Sequence, residues 1–206
     1  MPRSSLVILS TLVVVLLSAI AGSSCSTAPP SPYGQTLFLG DRVIPGAGAF
    51  GQPIQDSSYW RGDGVSGSPS IRLNLSEQRA YFFKDGVLVG ESPISSGDAE
   101  HRTPTGTFSV TQKNLRHRSN LYGDYVDSGG NVVVANVDSR TDRRPPGTTY
   151  RGADMPHFLR FNGGIGMHGG HLPGYPASHG CVRLPYHMAA HFYQHANHGT
   201  PVSVIR

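Results

Sequence analysis

From Ser70 onward, hydrophobic and polar residues alternate, with Ile71, Leu73 and Leu75 on one side. A period of two predicts a half-buried strand. Ala80-Tyr81-Phe82-Phe83 forms a second apolar run, and Asp85-Gly86 then predicts a two-residue hairpin turn into Val87-Leu88-Val89. Ser92-Pro93-Ile94-Ser95 continues that strand. Phe108-Ser109-Val110, Asn131-Val132-Val133-Val134, Phe158-Leu159-Arg160-Phe161, Ile165-Gly166-Met167 and Val202-Ser203-Val204-Ile205 read as further strands. One segment changes period. Met188, Phe192 and Ala196 share a helical face with Tyr193 beside it, Pro185 suits the first helical position, and Gly199 suits the C-terminal cap. The pattern predicts a mainly β domain with one helix.

The first residues follow another pattern. Arg3 precedes an apolar run from Leu6 to Ile20, too short for a membrane span and suited to an export signal. Two exits are open. Ala19-Ile20-Ala21 fits ordinary signal cleavage, whereas Gly22-Ser23-Ser24-Cys25 resembles a bacterial lipobox, in which Cys25 becomes the lipidated first residue. The lipoprotein reading is preferred because Cys25 then has a role. Either exit places the mature protein outside the cytoplasm, on the periplasmic side of the cell envelope. Ser26 to Pro32 reads as a tether of small residues and prolines, and residues 33–66, which hold Trp60, as an ordered but irregular lead-in.

The 206-residue chain has 26 glycines and 16 prolines, a composition of many turns between short strands. Its net charge of +4 is not gathered into Lys/Arg clusters, so it is weak evidence for nucleic acid, suits an anionic wall polymer or a plain solvated surface equally well, and does not discriminate; no nucleic-acid partner is expected. Arg140 to Arg151 is polar, basic and proline-containing. It reads as a surface loop, with an active-site lid as the second reading.

With Cys25 assigned to the signal region, Cys181 is the one remaining cysteine. An unpaired thiol in an exported protein is unusual, because thiols in oxidising compartments generally pair. Cys181 lies between glycine-containing turns, with His168 and His179 upstream as candidate bases. The glycines and prolines from Gly169 to Pro176 allow the chain to turn His168 toward the thiol, where the two would form an ion pair. The amides of Gly180 and Cys181 are natural donors to a developing oxyanion.

Met167-His168-Gly169-Gly170, followed by Ser178-His179-Gly180-Cys181-Val182-Arg183, resembles the active-site signature of bacterial L,D-transpeptidases. Thr103-Pro104-Thr105-Gly106-Thr107-Phe108 resembles a second element of that family. Leu75 to Tyr81 resembles its opening hairpin and Gly199-Thr200-Pro201-Val202 its last strand. The resemblance implies a β-sandwich catalytic domain over residues 67–206, with the helix placed just after the nucleophile. It implies that Cys181 takes the acyl group of a peptidoglycan stem peptide as a thioester, releases D-Ala, and passes the acyl group to an amine. That amine belongs to another stem peptide or to an outer-membrane lipoprotein. In this pattern His168 is the base ahead of His179, and the Gly169 carbonyl orients its ring. His179 and Gly180 shape the oxyanion region, and Ser178 and Arg183 bind substrate, Arg183 holding a substrate carboxylate or the loop itself. Arg183 stands where many members have asparagine. No cofactor or metal is expected.

Three alternatives compete. Water as the acceptor would make the protein an L,D-carboxypeptidase. His168, His171, His179 and Cys181 are a legitimate zinc donor set, although no carboxylate base lies nearby in sequence. A non-catalytic wall-binding module would need no activated thiol. Separately, His187, His191 and His195 recur at helical spacing, with His198 beyond. They read as a solvated face opposite Met188 and Phe192, with a metal-binding or pH-sensitive stripe as the functional alternative.

Overall fold

The computed structural model describes residues 56–206; the expected signal segment, Cys25 and the tether lie outside the described residues. The alternation at Ile71 and Leu73 builds β2 (Pro69–Asn74), which runs antiparallel to β3 (Arg79–Lys84). Asp85 and Gly86 turn β3 into β4 (Val87–Pro93) with φ of 46° and 79°, the left-handed pair that a two-residue hairpin requires. The last strand, β11 (Pro201–Ile205), returns to pair parallel with β2 and antiparallel with β5 (Gly106–Ser109). With β1 (Tyr59–Trp60) on the far edge, the order of this six-stranded sheet is β1-β4-β3-β2-β11-β5.

A second, five-stranded sheet has the order β10-β9-β8-β6-β7. It comprises β6 (Gln112–Val126), β7 (Val132–Asp138), β8 (Thr149–Asn162), β9 (Ile165–Gly169) and β10 (Val182–Leu184). Phe82, Leu73 and Val204 from the first sheet and Leu159, Met167 and Leu184 from the second share one core. Met188 and Phe192 of α1 (Tyr186–His195) complete it. The expected mainly β architecture with a single helix after Cys181 is therefore observed among the described residues.

Three details differ from expectation. Pro185 is the N-cap residue of α1, not its first helical residue, and the helix closes on an extended Ala196 instead of a glycine cap. Gly199, at φ +84°, turns the chain into β11 instead. Residues 149–151 of the basic segment belong to β8, so only the preceding stretch is a connection between strands.

The third difference concerns the helix histidines. Residues 56–65 cover this face in part. His187 Nε2 meets Ser58 Oγ at 3.0 Å and Asp56 at 3.6 Å, His191 stacks on Trp60 with ring centroids 4.9 Å apart, and His195 Nε2 lies 3.1 Å from Asp63. Lys84 ends the inward-facing row of β3. Its buried ammonium donates to the carbonyls of Gly62 and Val65 and meets His195 Nδ1 at 3.2 Å. The lead-in thus contains a strand and a set of side-chain ties, and Trp60 is its anchor. The indole meets Phe82 edge-on at 5.3 Å, and side chains at Gly62 or Gly90 would collide with it. We expect Trp60→Ala to cost about 3 kcal/mol, because it empties a large aromatic site and frees the segment that this ring pins. Urea unfolding checks this, and a loss under about 1 kcal/mol would contradict the anchoring role.

Candidate active site

β9 and β10 run parallel, with Val182 level with Met167 and Arg183 level with His168. Met167, Val182 and Leu184 face the core, so alternation turns Gly166, His168 and Arg183 to the opposite face. Cys181, one residue before β10, lies level with Gly166 by the same register. The Gly166 amide, two residues before His168 on β9, donates toward the Cys181 thiol, which sets the nucleophile beside the strand that carries the histidine.

The thiol is half-buried beside the β8–β9 turn. The Gly166 amide donates toward it, and Sγ approaches the Gly164 carbonyl at 4.0 Å. Burial raises the thiol pKa, partly offset by that amide and by Arg160 and Arg183. His168 is buried, and burial lowers its pKa from 6.5 to about 4, against an opposing pull from the Gly169 carbonyl. Burial thus works against the expected ion pair, because it favours a neutral thiol and a neutral imidazole. His168 Nδ1 meets the Gly169 carbonyl at 2.9 Å. A carbonyl only accepts, so Nδ1 carries the proton and Nε2 is the basic nitrogen.

The turn before Cys181 is internally bonded. The Ser178 hydroxyl, expected to bind substrate, is buried; it accepts the Gly180 N–H at 3.2 Å and donates to the Cys181 carbonyl. The Gly180 amide, expected as an oxyanion donor, is thus engaged within the turn. Arg183, whose role was open between substrate and loop, lies against Gly170 and donates to the Ala177 carbonyl at 3.2 Å, which braces the loop. Its backbone pairs in both directions with Ser95, and Asp98 N–H donates to Ser178 O. The chain after β4 is thereby fastened along the nucleophile turn.

His179 is exposed and stacks face to face on Tyr122 of β6, with centroids 4.1 Å apart. His101 meets its ring edge-on at 4.6 Å, and Asp98 holds His101 Nδ1 at 3.1 Å. Partial desolvation of the stacked ring, and then His101, lower the His179 pKa. Arg140, at the head of the basic segment, donates to the Tyr122 hydroxyl at 3.0 Å and is paired with Asp138. Asp98, His101 and Tyr122 carry no sequence motif of their own; only the topology brings them to this wall. His117 is another such residue. It stacks on Phe158, whose ring lies 6.4 Å from that of His168.

The four residues of the zinc alternative do not converge. The group with metal-ligand spacing among the described residues is Asp63, His191 and His195, whose donor atoms lie within 4.8 Å of one another. Lys84 commits that group otherwise. An ammonium can only donate, so His195 accepts at Nδ1 and keeps its proton on Nε2, which it gives to Asp63.

Residues 68–204 match the L,D-transpeptidase catalytic domain, or YkuD, family, and the chain belongs to it. Among solved structures, an L,D-transpeptidase from Mycobacterium smegmatis is 22% identical with a TM-score of 0.50, the match covering 68% of this chain and 59% of that one. The LD transpeptidase LdtMt1 in complex with imipenem is 18% identical with a TM-score of 0.51, covering 67% and 59%. Both likenesses are of fold, and the matches span about 59% of each relative's length. A comparison with curated proteins returned no match.

Proposed function

We propose that this chain is a peptidoglycan L,D-transpeptidase whose nucleophile is Cys181 and whose base is His168. The observation that carries the reading is the surroundings of β9, where the thiol and the histidine each meet the backbone of that strand. A half-buried thiol stands over the Gly166 amide, and on the adjacent parallel strand a buried neutral histidine has Nδ1 committed to the Gly169 carbonyl. The Cys181 proton passes to His168 Nε2 as sulfur attacks the stem-peptide carbonyl, because a neutral pair gains charge only as the bond forms. The oxyanion of the tetrahedral intermediate is met by the Cys181 N–H. Collapse breaks the peptide bond, His168 returns its proton to the departing D-Ala amine, and the acyl group remains as a thioester. An incoming amine repeats the cycle in reverse, giving its proton to His168 and restoring the thiol.

The test is incubation of the enzyme with a disaccharide-tetrapeptide and mass analysis of the products. The reading predicts cross-linked dimers lacking one D-Ala. Tripeptide alone would make water the acceptor and the protein an L,D-carboxypeptidase, and no D-Ala release would remove the substrate class.

The envelope location enters this proposal through the Gly22-Ser23-Ser24-Cys25 motif. A diacylglyceryl group with an N-acyl chain anchors far more firmly than one chain. Cys25→Ala is therefore expected to move the protein from the membrane to the soluble periplasmic fraction. An unmodified wild-type protein, already soluble and cut after Ala21, would contradict the anchor.

A further inference from the structure

We propose that Thr103 is a positioning residue for acyl transfer. Its hydroxyl locks the Gly180–Cys181 peptide so that the Cys181 N–H is presented to the developing oxyanion. The inference rests on the acyl-transfer reading of Cys181.

Thr103 is buried, and its hydroxyl is used in both directions. It donates to the Gly180 carbonyl at 2.8 Å and accepts the Gly97 N–H at 2.9 Å. The accepted bond from Gly97 fixes the hydroxyl, and the donated bond fixes the carbonyl. In a trans peptide the C=O and the following N–H point in opposite directions. Pinning Gly180 O therefore also aims the Cys181 N–H.

The position needs such a lock. Gly180 has φ +107°, a conformation open to glycine, and its softness would leave the next peptide plane free to rotate. Its own N–H is bonded to Ser178 Oγ, so the Cys181 amide is the remaining donor of the expected pair. Ser178 also holds the carbonyl of Cys181, and Thr103 secures the Gly180–Cys181 plane between them. Gly97 is packed so closely that a side chain there would meet His101 O at 2.0 Å and Gly180 Cα at 3.0 Å. The support under Thr103 is therefore backbone, with little room to shift.

Two reactions of the same thiol separate oxyanion support from thiol placement. Acylation by imipenem passes through an oxyanion; alkylation by iodoacetamide occurs at a saturated carbon and does not. Both rates are measured by intact-protein mass on wild type, Thr103→Val and Thr103→Ser. We expect Thr103→Val to slow acylation by about 10–100-fold while alkylation stays within about twofold, and Thr103→Ser to retain both rates. Acylation unchanged in Thr103→Val, or both rates falling together without rescue by serine, would overturn the proposal. If Thr103→Val does not fold, Thr103→Ala is judged by the same two criteria. A wild-type protein that is alkylated but never acylated would instead count against the acyl-transfer reading itself.

Discussion

Cys181→Ser is expected to lower D-Ala release from a disaccharide-tetrapeptide by at least about a thousandfold while leaving the fold intact. The substitution exchanges sulfur for oxygen at a half-buried position whose surroundings already disfavour an anion. A thiol raised by burial is still far more acidic than a hydroxyl, so a base matched to the first cannot ionise the second. The support at the site is modest: one amide from Gly166 and the more distant charges of Arg160 and Arg183. Thermal unfolding should change little, because the weak contact of Sγ with the Gly164 carbonyl can be remade by a hydroxyl. A serine variant that works near the wild-type rate would remove the thiol from the mechanism.

The second large effect is at His168. His168→Gln keeps a polar group near the Gly169 carbonyl and removes the base, and acylation of Cys181 should fall by about 10²–10⁴-fold. His179→Ala should reduce turnover more than thiol reactivity, since His179 is stacked on Tyr122 at the outer wall. The reverse ranking would exchange the two roles.

His168 also has a signature in stability. Its pKa is about 4 in the folded protein and 6.5 ordinarily. As pH falls from 6.5 toward 4 the unfolded chain takes up a proton that the folded protein refuses, so stability is lost across that window and is full above it. The gap corresponds to about 3 kcal/mol. Between pH 7 and pH 4, His168→Gln should therefore lose about 3 kcal/mol less than wild type in urea unfolding. Parallel curves would mean that His168 is not held neutral by burial.

The legible parts of this fold are those in which a local rule and the tertiary structure agree. The alternation of β2, the Asp85-Gly86 turn and the apolar face of α1 could be read because each buries the side its period marks. β6 was silent. Over Gln112–Val126 it carries mostly polar residues, with Leu115 and Leu121 exposed, so no alternation marks a buried face. Only its pairing with β8 and β7 makes it a strand. The covering of His187, His191 and His195 was hidden because its partners lie about 130 positions away in sequence.

The site divides in the same way. Cys181 and His168 stood out by residue type and motif, and the pairing of β9 with β10 brings the strand that carries His168 beside the one that follows Cys181. The roles of Ser178, Gly180 and Arg183 could not be read from spacing, because each depends on where one hydrogen bond goes. The Gly180 N–H goes to Ser178 and the Arg183 guanidinium to Ala177. Thr103 lay within a visible Thr-Pro-Thr-Gly element, yet its contact with Gly180 spans 77 positions. Buried hydrogen bonds of that separation leave no trace in periodicity.

The central claim is that Cys181 carries the acyl group of a stem peptide. The most direct measurement is the intact-protein mass after rapid acid quenching of enzyme mixed with disaccharide-tetrapeptide, followed by peptide mapping. The account predicts an adduct equal to the tetrapeptide donor less D-Ala, mapped to Cys181, discharged by hydroxylamine and lost in Cys181→Ser. D-Ala release with no adduct on Cys181, or an adduct that persists in the serine variant, would contradict it.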